Sequence, residues 1–176
     1  MATMTYTALP DTAEKENDAF RRIADYLDRN QFEYVEREDA GLLNIGLTTK
    51  RATFRTAIKV SQKGDLNEVL VFTSYPVMIP EGRRVAVAEA IQHGSFSLVS
   101  AVPEIDMNDG EVRLKSMVVA ETAHLTDSVL DYVLYGNLNM AAMFLEPLLA
   151  FGFGNMSPIS IKPILSPPSA AGQTLQ

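Results

Sequence analysis

"DMNDGEVRLKSMV", residues 106–118, can be read as a metal loop or as a hairpin. Asp106, Asn108 and Asp109 crowd three oxygen-bearing side chains in front of Gly110, as at the start of a calcium loop. An EF-hand loop needs oxygen ligands at positions 1, 3 and 5, Gly at 6 and a bidentate Glu at 12. Counted from Asp106, position 5 is Gly110, position 6 is Glu111 and position 12 is Met117, whose thioether cannot close a calcium shell. Asp109-Gly110 is instead a favoured pair for a two-residue hairpin turn, because Gly accepts positive φ at no steric cost. The flank agrees. Charged Glu111, Arg113 and Lys115 alternate with apolar Val112 and Leu114, as in a strand with one wet and one dry face. The stretch turns the chain between antiparallel strands.

Upstream, "AVPEIDM" (101–107) is the partner strand. Before it, "PEGRRVAVAEAIQHG" (80–94) has Pro at its start and Gly at its end, which predicts a helix with Val85, Ala88 and Ile91 on its apolar stripe. Four more strands precede that helix. They are "FEYVERED", "GLLNIGLTT", "ATFRTAIKVS" and "NEVLVFTSYPV". In the third, Phe54, Thr56, Ile58 and Val60 share one face and Arg55, Ala57 and Lys59 the other. The fourth is apolar on both faces from Val69 to Phe72, which predicts a central place in the sheet. The first element is an amphipathic helix over 12–29, capped near Asp11, with Phe20, Ile23, Ala24 and Leu27 inward.

Downstream, Thr126 is a good N-cap for a closing helix. Pro147 removes a backbone donor and should kink or restart that helix, and Gly152 and Gly154 should stop it. The order is α-β-β-β-β-α-β-β-α. This is an α+β fold with helices against an antiparallel sheet. One domain is expected over 11–154, with flexible or extended termini at 1–10 and 155–176, the latter rich in proline.

Composition narrows the function. The chain has 176 residues, 47% of them apolar, which is enough for one substantial core. Its formal charge of −7 is a poor start for nucleic-acid binding. Without cysteine it has no disulfide, thiolate metal site or cysteine nucleophile, and it suits a reducing cytoplasm. "MATMTYTALP" lacks the basic start and apolar run of a secretory signal, and 139–154 is too short to span a bilayer. No membrane insertion is expected.

Catalytic signals are thin. His93 and His124 sit at helix boundaries without ligand-spaced partners. Glu104, Asp106, Asp109 and Glu111 flank a hairpin tip, where they read as solvated charge. Lys50, Arg51 and Arg55 suit the polar face of a strand, or an acidic partner. No nucleotide-loop, zinc-protease or serine-elbow pattern occurs, and no cofactor is expected.

The most informative segment is 138–151. Leu138, Met140, Met143, Phe144, Leu145, Leu148, Leu149 and Phe151 cover nearly every side of a helix, whereas a surface helix is apolar on one stripe. Central burial explains this, and so does an interface, to which adaptable methionines are suited. The interface candidates are Leu138, Met140, Met143, Phe144, Leu145, Leu148 and Phe151.

"VMIPEGRRVAVAEAIQHGSFSLVSAVPEIDMNDGEVRLKSMVVAE" followed by "LTDSVLDYVLYGNLNMAAMFLEPLLAFGFG" resembles the YbjN-domain family, also called bacterial sensory transduction regulators. Four features carry the resemblance: a strand ending in Pro80 before an Arg-Arg helix, an acidic strand into "DGEVR", the switch into Leu125-Thr126, and the long closing helix. It covers about 19–154. It implies a fold similar to class I type III secretion chaperones, a twisted antiparallel sheet carrying helices and often dimeric. It implies no catalytic residue. The expectation is a non-enzymatic, cytoplasmic regulatory or chaperone-like module that binds a protein or peptide segment and forms a homodimer. The alternative is a small-molecule-binding protein, or an unrecognised enzyme, with a pocket between sheet and helices.

Overall fold

Alternation along the strands sorts their side chains onto two faces, and the helices cover one of them. The structure is a computed structural model that describes residues 18–95, 98 and 101–154. Three helices, α1 (Asp18–Arg29), α2 (Glu81–Ser95) and α3 (Asp127–Phe153), accompany six strands. The strands are β1 (Tyr34–Arg37), β2 (Leu42–Thr48), β3 (Thr53–Lys63), β4 (Leu66–Met78), β5 (Val102–Ile105) and β6 (Glu111–Ala120). They form one antiparallel sheet in the order β1-β2-β3-β4-β6-β5, so β4 is central, as its two apolar faces predict. Short 3-10 turns at Glu38–Ala40 and Thr122–His124 complete the order.

The covered face carries Leu43, Phe54, Ile58, Val71 and Leu114, all within 1% of full burial. Thr56 and Thr73 sit opposite each other there and share a hydroxyl hydrogen bond of 2.8 Å. α3 lies across β4 and β6. Its buried Asn137 donates to the Ser116 hydroxyl at 2.8 Å and the Val71 carbonyl at 3.4 Å, which fixes the helix in one position over the strands. α1 docks beside the start of α3. The Tyr26 hydroxyl donates to Asp131 at 2.6 Å, and both Arg22 and Arg29 pair with Asp127. The Arg22 hydrogen bond holds the Asp127 carboxyl below its usual range.

Four expectations change. α2 turns Val87, Ala90 and Gly94 to the core with the expected Ile91 half-buried against it, and leaves Val85 72% exposed, because the helix packs on both β5 and α3 and takes small residues there. α3 neither restarts at Pro147 nor stops at Gly152. It is continuous over 27 residues, since Pro147, Leu148 and Phe151 are packed against α2 residues Val87 and Ala90, and that burial outweighs one missing backbone bond. Gly154 ends it, donating its N–H to the Ala150 carbonyl, and Thr126 caps the start by accepting from the Val129 N–H. The cap expected near Asp11 lies outside the described residues, as do the two termini.

The fourth change is the hairpin tip. β5 and β6 do pair antiparallel, but their loop has four residues, 107–110, between Asp106 and Glu111. Only Gly110 in it has positive φ, at +87°. The carboxylates build the turn. Asp106 accepts from the N–H and the side-chain amide of Asn108, and Asp109 accepts from the Glu111 N–H. Arg84 then clamps the tip, donating to the carbonyls of Ile79, Met107, Asn108 and Asp109. Its neighbour Arg83 donates to the Phe151 and Gly154 carbonyls at the end of α3. The Arg-Arg pair thus joins the end of β4, the hairpin and α3 at one end of the molecule.

Candidate protein-binding surface

Among the described residues no helix lies on the second face of the sheet, and its composition is set by register. One row across it reads Val35, Asn44, Ala57, Phe72, Lys115 and Val102. The next reads Arg37, Leu42, Lys59, Leu70 and Met117. Phe72 and Leu70 are therefore neighbours on β4, with Met117 and Lys115 beside them on β6. Val102 is 46%, Met117 59% and Val119 45% exposed, and Leu70 and Phe72 are half-buried, so a partly exposed apolar strip crosses β4, β6 and β5. An exposed strip of this kind marks a contact surface more than a scattered apolar residue does.

Charge surrounds the strip. The Arg113 guanidinium stands 4.5 Å over the Phe72 ring centroid, a cation–π contact. Arg113 and Lys115 both pair with Glu104 on β5. Partial burial pushes the Glu104 carboxyl up, but the hydrogen bonds from Lys115 and Arg113 outweigh it and hold it below the usual range. Arg37, Arg55 and Lys59 lie on the same face. A chain of net charge −7 therefore carries an open face on which arginine and lysine are prominent.

Among the described residues the cavity between the helices and the sheet is small. Tyr75, Val87, Phe144, Leu148 and Phe151 line a cavity of about 20 Å³ between the helices and the sheet, the room of a single water. A small-molecule site needs hundreds of cubic ångströms. Among the described residues the Tyr75 hydroxyl there has no hydrogen-bond partner, and burial pushes its pKa well above the usual tyrosine range. A second groove runs between α1 and β1, past Asp25, Asp28, Glu36 and Glu38. In it the Tyr34 hydroxyl is pushed up to about 12 by burial and by a hydrogen bond to Asp28.

The interface candidates on α3 separate. Leu138, Phe144, Leu145, Leu148 and Phe151 are at most 9% exposed and belong to the core, Met140 is half-buried, and Met143 is 46% exposed. His93 and His124 lie on the surface, near Glu89 and Glu121 respectively. Arg51 pairs with Glu146 at 3.0 Å, and Arg55 faces the open side of the sheet. Sequence reasoning missed Leu70, Phe72, Val102, Met117 and Val119 as a surface. A signal was present: the wet face of β6 runs from Glu111, Arg113 and Lys115 into Met117 and Val119, where its polarity ends.

No family model matches the chain, and no curated protein matches it. Among solved structures, it is similar to YbjN from E. coli, a proposed transcription regulator. The TM-score is 0.50 over 74% of this chain and 89% of YbjN, at 12% sequence identity. The chain has a YbjN-like fold. It is also similar, at TM-score 0.46 and 12% identity, to a chain of the HopA1-SchA chaperone-effector complex, covering 76% of this chain and 98% of that one. At such identity the likeness to YbjN is one of fold. Among the described residues no helix is long and apolar enough to cross a membrane.

Proposed function

We propose that this protein is a non-enzymatic, cytoplasmic regulatory or chaperone-like module that works as a homodimer and binds an extended segment of another protein on the open face of its sheet. The single observation that carries the reading is the strip of half-buried Leu70 and Phe72 with exposed Val102, Met117 and Val119, uncovered among the described residues and set beside Arg113, Lys115 and Lys59. Apolar side chains of the segment would cover the strip, and its acidic residues would meet the surrounding cations. The apolar centre favours a protein over a nucleic acid, whose phosphates need cations without a greasy middle.

Selection of displayed random peptides on the full chain tests this. Enriched sequences should combine apolar with acidic residues, and Met117→Asp should lose them while melting as the wild type does. Failure to enrich any sequence, or peptides that bind Met117→Asp equally well, would count against the surface. A thermal-shift screen with small molecules covers the alternative, since only a small-molecule-binding protein would be raised in melting temperature by a defined compound.

A further inference from the structure

We infer that the outward face of α3 is a two-fold seam on which a second copy of this chain docks antiparallel, an inference that rests on the homodimer part of the reading above. At 100° per residue, Tyr132, Tyr135, Asn139, Glu146 and Phe153 fall within about 30° of one line along the helix, with Gly136, Ala142, Met143 and Leu149 at its margins. Among the described residues only Phe32, beside the Tyr135 ring, and Arg51, paired with Glu146, reach this line. Tyr132 is 68%, Tyr135 43%, Met143 46%, Leu149 37% and Phe153 56% exposed. Taking about 200 Å² for an aromatic side chain, these fractions amount to roughly 500 Å² of apolar surface per protomer, or about 1,000 Å² for a two-fold pair, the lower limit of a specific interface.

The pattern is self-complementary about a point between Ala142 and Met143. An antiparallel copy centred there places Tyr132 against the partner's Phe153 and Tyr135 against the partner's Leu149. Asn139 faces the partner's Glu146, where its amide can donate to the carboxylate oxygen that Arg51 leaves free. Gly136 meets the partner's Ala150, small on small, which lets the two helices approach closely. Other registers fit worse. Centring on Glu146 opposes two carboxylates, and centring on Asn139 leaves Leu149 and Phe153 uncovered.

Gly136 is the independent observation. It lies in the middle of α3, where glycine is the least favourable residue except proline. Among the described residues nothing requires it, because a Cβ built there meets no atom within 4 Å. A helix packed against it from outside supplies the reason.

Sedimentation velocity on the full chain, over about 1–100 μM, tests the seam. The wild type should be a reversible dimer. Gly136→Gln should weaken it at least about tenfold while raising the melting temperature of the monomer, because the substitution relieves the helix and obstructs only the partner. Met143→Glu, which sets two carboxylates near the axis, should weaken it similarly. Asn139→Arg should tighten it about tenfold by pairing with the partner's Glu146, a gain that misfolding cannot imitate. A dimer that survives Gly136→Gln or Met143→Glu overturns the seam and leaves the homodimer standing. A wild type that stays monomeric at the highest concentration overturns both. Peptide binding on the sheet face bears on neither.

Discussion

β4 presents Val69, Val71, Thr73 and Tyr75 to the helices and Leu70, Phe72 and Ser74 to the open side. The two sets are similarly apolar in sequence. On one face Val71 is 1% exposed and locked under Asn137 of α3, while on the other Phe72 is only half-buried, with a guanidinium over its ring. The difference lies in what covers each face, and apolar character alone does not report it. α3 repeats the lesson, with Leu145 and Phe151 in the core and Tyr132 and Phe153 outside it.

Charging the two sides should separate them most sharply. Phe151→Asp places a carboxylate at a position 1% exposed, and more than about 4 kcal/mol of stability should be lost, with the far-UV circular dichroism of an unfolded chain at room temperature. A folded Phe151→Asp would erase the distinction between core and surface on α3. Gly110→Ala tests the junction that orients both faces. Its Cβ would stand 2.2 Å from the Ile79 carbonyl at a φ of +87°, so about 2–4 kcal/mol should be lost in urea unfolding. Met117→Asp, on the open face, should change stability by less than about 1 kcal/mol in the same assay, and a larger loss would mean that something in the molecule covers the strip.

The smallest effect is one of pH. Folding holds the Glu104 carboxyl below its ordinary value of 4.5, so its pairing with Arg113 and Lys115 stabilises the fold above that pH. The contribution is lost as pH falls through the depressed folded value. Melts of wild type and Glu104→Gln should converge in acid and differ by at most about 1 kcal/mol at neutral pH, since the group is partly exposed and screened. A difference that grows in acid would mean that the open face is not ordered by this pairing.

Much of the fold was legible because strand alternation and helix caps are local. The wet and dry faces of β3 and β6, the central place of β4 and the Thr126 cap follow from neighbours within a few residues. The stripe of α2 was misread because Val85 and Val87 are equally apolar, and only packing against β5 and α3 selects Val87. Pro147 was misread because a local rule about one backbone bond was opposed by tertiary burial. The surface on the sheet was missed because its residues are spread over β4, β5 and β6, and pairing brings them together.

The sequence by itself determined which residues alternate, which caps and turns punctuate the chain, and that the chain reverses near Asp109-Gly110, because these depend on short-range geometry. Only the tertiary structure decided which of two apolar faces is buried, on β4 and on α3 alike. Burial depends on elements far apart in the chain, and among the described residues the three helices lie on one side of the sheet.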